Sequence, residues 1–210
     1  MKLLLSVLVM CTIQFSAFAA DKYVSPLSHF SAEWNNEKYQ VCNTAADVKY
    51  MSATEKEVIH ILNLARMNPS LFNSTVVKQF PAFSNQADLN GNSYYQSLQA
   101  TMQHMPALNI LTPSQPCFES ALCHAQSSGV SGYVGHDRRT AECEKKKFFF
   151  GECCDYGHAD ALGIVMALLI DRNIPSLGHR KIFFGKYNTV GVSIQPHKAY
   201  RSNAVIDFGI

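Results

Sequence analysis

Apolar positions between residues 54 and 68 recur every three or four residues and predict the first helix of the chain. Its buried face consists of Val58, Ile61, Leu62 and Ala65. Thr54 and Glu57 have the spacing of a capping box, in which each side chain satisfies a free backbone N–H group of the first turn. Asn68 ends the helix, because a residue that precedes proline avoids the helical region.

Helical periodicity dominates the rest of the chain, and strand patterns occur only near its C-terminus. Further helices are expected over residues 70–79, 94–102, 116–126 and 161–170. Residues 188–194 and 204–208 are rich in β-branched and apolar side chains, and they predict two strands that pair as a hairpin. Helices followed by a late hairpin indicate an α+β protein, with a small antiparallel sheet covered by helices.

The first 19 residues have the pattern of a secretory signal peptide. Lys2 is their only charge, an apolar run follows it, and Ala17-Phe18-Ala19 has the form of a cleavage site. We therefore expect cleavage after Ala19 and a secreted chain, extracellular or periplasmic. The apolar run is too short and too interrupted to span a membrane. A lipoprotein anchored through Cys11 is the less favoured alternative.

Length and charge describe a single domain without a strong electrostatic preference. Residues 20–52 form a mostly polar arm, and residues 53–210 are long enough for one domain with its own core. Removal of the signal peptide takes Lys2 from the 18 basic residues, which leaves 17 against 16 acidic residues. This balance gives no electrostatic case for nucleic acid as a partner. We expect a monomer with no transmembrane segment, and we interpret the basic run 145–147 as a solvated loop.

Cysteine usage agrees with export. Six cysteines follow the signal peptide: Cys42, Cys117, Cys123, Cys143, Cys153 and Cys154. An even number in an exported chain predicts three disulfides. We expect a local bridge from Cys143 to Cys153 or Cys154, and we expect Cys42 to tie the arm to the domain. A zinc site made of thiolates is the alternative, although paired C-x-x-C spacing is missing.

Five short motifs mark the second half of the chain in a fixed order. They are Gly135-His136, Gly151-Glu152, Gly178-His179-Arg180-Lys181, Tyr187-x-x-Val190-Gly191-Val192 and Val205-Ile206-Asp207-Phe208-Gly209. Together with the first helices they resemble the CAP superfamily of cysteine-rich secretory, antigen 5 and pathogenesis-related proteins, in a bacterial-type form. The resemblance covers residues 52–210 and implies a disulfide-stabilised, three-layer α-β-α sandwich. Cysteine stands at position 153, where the family has asparagine after the glycine and glutamate.

The resemblance also implies a cleft in which His136, Glu152 and His179 meet. Asp171 lies near the position at which many members carry a second glutamate, and it completes the candidate metal site. Imidazole and carboxylate are good ligands for a divalent metal ion, with zinc favoured. The same four groups also suit a hydrogen-bonded cluster without metal, in which a carboxylate fixes the tautomer of its imidazole.

The sequence leaves three functions open. The first is a secreted binding module whose cleft takes an extracellular lipid, peptide or protein. The second is a metal-assisted hydrolase, a peptidase or esterase, with His136, Glu152 and His179 as candidate catalytic residues. The third is a purely structural polar cluster in a stable extracellular protein. Because the chain has neither a G-x-S-x-G nor an H-E-x-x-H motif, we favour a protein that is not an enzyme.

Overall fold

The computed structural model describes residues 22–210, so the predicted signal peptide and its cleavage site lie outside the described residues. The helices are α1 (Ala53–Met67), α2 (Pro69–Phe72), α3 (Lys78–Phe83), α4 (Ser93–His104), α5 (Gln115–Ser131), α6 (Ala141–Lys145), α7 (Ala161–Ile170) and α8 (Gly178–Phe183); the strands are β1 (Thr112–Pro113), β2 (Gly151–Tyr156), β3 (Thr189–His197) and β4 (Arg201–Gly209). Helix and sheet are thus combined, as predicted. None of these helices has the length and apolar character that crossing a bilayer requires.

The N-terminal segment that the sequence predicts as a polar arm is packed into the main core. Leu27, Trp34 and Tyr39 are fully buried there. The indole N–H of Trp34 donates to Thr75 Oγ1 at 3.1 Å, and the indole and Tyr39 ring centroids lie 4.9 Å apart. Two short 3-10 helices, Ala32–Asn35 and Glu37–Cys42, present Trp34 and Tyr39. Such short elements leave no regular period in the sequence, which is why their burial was not predicted.

Helix α1 begins with a capping box, two residues earlier than predicted. The backbone N–H of Glu55 donates to Ser52 Oγ at 3.3 Å, and the backbone N–H of Ser52 donates to Glu55 Oε2 at 2.7 Å. The predicted capping box of Thr54 and Glu57 is therefore wrong. The end of the helix is as predicted, because Pro69 opens α2 in the next turn.

The four strands form one mixed sheet in the order β1-β3-β4-β2. β3 and β4 are the predicted antiparallel hairpin, with Val192 opposite Ile206. β2 pairs antiparallel with β4 and places Glu152 opposite Asp207. The two-residue β1 runs parallel to β3, so the sheet is not purely antiparallel as predicted. The register of β2 against β4 brings two acidic side chains together at one point of the sheet.

Alternate strand residues contact different helices. The main core joins apolar residues of α1 and α7 to Val190, Val192, Cys153, Ile206 and Phe208. A smaller cluster joins Ala121 and Ala125 of α5 to Cys154 and Val205. Gly191 permits this close approach of α5, because a Cβ atom there would overlap the backbone of Cys117 and Phe118. Packing of helix on strand therefore requires the glycine between the two valines of the V-G-V motif.

One disulfide, Cys123–Cys143, joins α5 to α6. Within residues 22–210 the remaining cysteines are free and buried: Cys42, Cys117, Cys153 and Cys154. The predicted bridge from Cys143 to Cys153 or Cys154 is wrong, because Cys143 is already paired with the preceding helix. The expected bridge from Cys42 is also absent from the described residues, and its Sγ atom lies 3.3 Å from Met67 Sδ instead.

Candidate functional site

His136 is held in the loop after α5 by a buried carboxylate. Gly132 ends α5 in the left-handed conformation, and Gly135, at φ 139°, turns the chain just before the histidine. His136 Nδ1 lies 2.8 Å from Glu152 Oε1 on β2. The imidazole is about half exposed, whereas the carboxylate is buried. This hydrogen bond raises the pKa of His136 above its usual value.

His179 has a partner of the same kind at the start of α8. Asp171 follows α7 in the left-handed conformation, at φ 57°. Its Oδ1 lies 2.8 Å from His179 Nδ1, and its Oδ2 accepts the backbone N–H of His179 at 3.0 Å. The side chain of Asp171 is fully buried, and the imidazole is mostly buried. One carboxylate therefore fixes both the ring of His179 and the turn that carries it.

The two imidazoles lie close to each other. Their ring centroids are 6.5 Å apart, and their planes are inclined by 39°. Each Nδ1 is paired with a carboxylate, and no residue in 22–210 forms a hydrogen bond with either Nε2. A zinc ion bound by both rings at 2.0–2.1 Å would hold the centroids roughly 5–6 Å apart. The observed centroid separation of 6.5 Å is somewhat longer than a shared ion requires.

The carboxylates of Glu152 and Asp171 each contact the Nδ1 atom of one imidazole. The carboxylate oxygens and the ring nitrogens therefore do not surround a single point as the ligands of one ion would. Glu152 and Asp171 occupy the place of groups that orient metal-bound histidines through the second ring nitrogen. The structure thus brings the four predicted residues together as two histidine–carboxylate pairs. Metal binding by this set, and zinc as the ion, stay predictions.

A buried arginine supports Glu152 from the side opposite His136. Arg138 Nη1 lies 2.6 Å from Glu152 Oε2, and Arg138 Nη2 lies 3.5 Å from Asp207 Oδ2. Burial alone would raise the pKa of Glu152, but the hydrogen bond with His136 and the charge of Arg138 lower it overall. Burial, with repulsion from Glu152, raises the pKa of Asp207 well above its usual value. Glu152 is therefore the more readily ionised of the two carboxyl groups.

A cavity of about 370 Å³ lies beside His179 and Asp171. Much of its lining is apolar, with Phe80, Leu89, Val134, Leu168, Ile170 and Ile174. Its volume falls within the usual range for small-molecule sites. A third histidine–carboxylate pair also lines it: His158 Nδ1 lies 3.0 and 3.1 Å from the two carboxylate oxygens of Asp155. This hydrogen bond raises the pKa of His158.

Arg180, which follows His179 in the G-H-R motif, positions the site and does not line it. Its guanidinium donates to the carbonyl oxygens of Leu169 and Ile170 at the end of α7, and to that of Tyr94 on α4. The carbonyls of Leu169 and Ile170 immediately precede Asp171, and the carbonyl of Tyr94 belongs to α4. The arginine therefore anchors the turn that presents Asp171 to His179.

Sequence reasoning missed three of these participants: Arg138, Asp155 and His158. A buried arginine is rare, so Arg138 next to Arg139 gives the pattern of an exposed basic pair. Asp155 and His158 belong to the end of β2 and the turn after it, in a stretch that shows no strand periodicity. The available signal was the position of Arg138 two residues after His136, in the loop that follows the Gly135-His136 motif.

Three other ligand atoms converge more tightly than those of the predicted set. Among residues 22–210, one donor atom each from His124, Glu152 and Cys154 lies within 4.8 Å of the other two. Only Glu152 was a predicted ligand. The group lies beneath His136, since Cys154 Sγ is 3.8 Å from His136 Nδ1.

Comparison of the chain with protein-family models, curated proteins and solved structures gave no match. Membership of the CAP superfamily therefore rests on the sequence motifs and stays a prediction.

Proposed function

We propose that the chain is a secreted binding module of the CAP type, whose cleft holds a divalent metal ion between His136 and His179. One observation carries the proposal: two neighbouring imidazoles each have Nδ1 paired with a buried carboxylate. This pairing leaves each Nε2 for a ligand. A carboxylate partner also makes an imidazole a stronger metal ligand and holds its ring in place.

The proposal includes the three-layer α-β-α arrangement, with α5 on one face of the sheet and α1 and α7 on the other. One observation on β2 supports this layering. Cys153 and Cys154 are neighbours on β2, yet they belong to the main core and to the α5 cluster respectively. Successive strand residues point to opposite faces, so each cluster lies on its own side of the sheet.

The organic partner that best fits the cleft is a small amphipathic molecule, such as a lipid or an apolar peptide segment. The cavity offers apolar walls, and ionisable groups occur at His179 and His158. A hydrogen bond to Asp155 raises the pKa of His158, so mildly acidic conditions add positive charge to the wall of the cavity. An acidic head group on the ligand would be complementary to that charge.

Zinc calorimetry on the mature chain tests the metal site directly. We expect saturable zinc binding by the wild type and at least a tenfold loss of affinity in His179→Ala. His104→Ala is the matched control, because His104 is exposed at the end of α4. Equal zinc affinity in wild type and His179→Ala would contradict the proposal.

Thermal unfolding of the same variants separates binding from a structural role. A binding site predicts that added zinc raises the melting temperature of the wild type more than that of His179→Ala, because a ligand that binds only the folded chain stabilises it. A structural cluster predicts a clear fall in the melting temperature without any loss of zinc binding. The hydrolase alternative stays untested; ester turnover that His179→Ala abolishes would support it.

A further inference from the structure

A second, sulfur-containing set of ligands lies beneath the cleft. Glu152 and Cys154 are two residues apart on β2, so their side chains point to the same face of the sheet. That face packs against α5, which carries His124. One donor atom from each of the three lies within 4.8 Å of the others, and all three residues are buried.

The imidazole of His124 has a buried nitrogen without a partner. Its Nε2 lies 2.9 Å from the carbonyl oxygen of Gly135. A carbonyl only accepts hydrogen bonds, so Nε2 carries the proton and Nδ1 has a free lone pair. Within residues 22–210 nothing donates to this Nδ1, although the side chain is fully buried. Coordination of the imidazole by an ion would compensate a group that is otherwise costly to bury.

Cys154 supplies the sulfur ligand and connects the proposed metal site to the cavity. It is a free thiol, and its Sγ lies 3.8 Å from His136 Nδ1 and 3.9 Å from the carbonyl oxygen of Gly135. It also contributes to the wall of the 370 Å³ cavity, so an ion in the cavity can reach the sulfur. Cys153, the next residue, is buried on the opposite face of the sheet and has no such access.

We propose that His124, Glu152 and Cys154 form a metal site of their own, for a divalent transition-metal ion of the zinc or cobalt class. Nitrogen, oxygen and sulfur together select such ions over magnesium or calcium. Binding converts the Cys154 thiol to a metal-bound thiolate and releases one proton to the solvent. The site shares Glu152 with the proposed ion site of His136 and His179, where this carboxylate contacts His136 Nδ1, and it is distinguished from that site by its sulfur ligand.

Absorption spectroscopy with Co²⁺ as the probe tests the proposal. A thiolate bound to Co²⁺ gives an intense near-ultraviolet charge-transfer band, whereas histidine and carboxylate ligands alone do not. We expect this band when Co²⁺ is added to the mature wild-type chain without reductant. Cys154→Ser should abolish the band, and Cys153→Ser, the matched control, should retain it.

Two further variants keep the result decisive. His124→Gln should weaken the Co²⁺ affinity, measured by titration of this band, at least tenfold. This variant tests the proposed site if Cys154→Ser fails to fold. His179→Ala should keep the band and lose one of the two zinc sites that calorimetry detects in the wild type, so the two proposals fail separately. Absence of the band from the wild type, or its persistence in Cys154→Ser, would overturn the thiolate site.

Discussion

His60 lies on α1, where the packed N-terminal segment covers it. It is buried, and Tyr23 Oη lies 2.9 Å from its Nε2. Burial lowers the pKa of His60 from 6.5 to about 4, because the charged imidazolium loses its hydration there. The unfolded chain therefore binds a proton at this position more readily than the folded chain does.

The first prediction concerns the pH dependence of stability that His60 produces. Its contribution is fully present above pH 6.5 and is lost as the pH falls from 6.5 towards 4, because protonation then favours the unfolded chain. The shift corresponds to about 3 kcal/mol. Urea unfolding from pH 7 to pH 4 should show a flatter profile for His60→Gln than for the wild type. An unchanged profile in that variant, or an equal change in His104→Gln, would refute this assignment.

The second prediction concerns the buried arginine beside Glu152. Arg138→Met removes the positive partner of two buried carboxyl groups and leaves Glu152 with His136 as its remaining partner. We expect a loss of about 3–5 kcal/mol in the free energy of unfolding. Urea unfolding measures it, with Arg139→Met as the control, since Arg139 is exposed. Similar stability of the two variants would show that Arg138 is not a buried counter-ion.

At the scale of helices and strands, the close contact of α5 with β3 depends on Gly191, which has no side chain. Gly191→Ala introduces a Cβ atom that overlaps the backbone of Cys117 and Phe118, and backbone cannot move aside as a side chain does. We predict a loss of about 3 kcal/mol or more in the free energy of unfolding. Gly91→Ala is the control, because nothing lies within 4 Å of its added atom. Equal stability of the two variants would contradict the packing of α5 described above.

Helices and strands are predicted most accurately from the sequence where one hydrophobic period extends over a long stretch. Helix α7 has its predicted bounds, and the β3–β4 hairpin is confirmed. β2 was not predicted, because five of its six residues are buried and no polar alternation marks its faces. The cap of α1 was misplaced because Ser52 and Thr54 both precede a glutamate at the required spacing. The structure shows which of the two serine or threonine residues caps the helix.

For the whole molecule, the cysteines give the most direct chemical test of the fold. The structure predicts one disulfide and four buried thiols: Cys42, Cys117, Cys153 and Cys154. A thiol assay on the denatured, unreduced mature chain should therefore find four reactive groups per chain. Alkylation followed by peptide mapping should place the disulfide at Cys123 and Cys143. A count of zero would restore the three-disulfide prediction and contradict the structure.

At the same scale, the sequence predicted which histidines meet but not how they are held. The family resemblance implied that residues 136 and 179 lie near each other, and their ring centroids are 6.5 Å apart. Their carboxylate partners depend on two details of geometry: the register of β2 with β4, and the left-handed turn at Asp171. Neither leaves a periodic signal. The disulfide was mispredicted for the same reason, since spacing along the chain does not reveal which cysteine α5 turns towards α6.

We propose that His136 and His179 together bind one ion through their Nε2 atoms. Anomalous diffraction at the zinc edge, from crystals of the mature chain grown with zinc, tests it most directly. Shared coordination predicts an anomalous peak about 2.0–2.1 Å from Nε2 of both residues. Two rings too far apart to share an ion, with no peak between them, would contradict it.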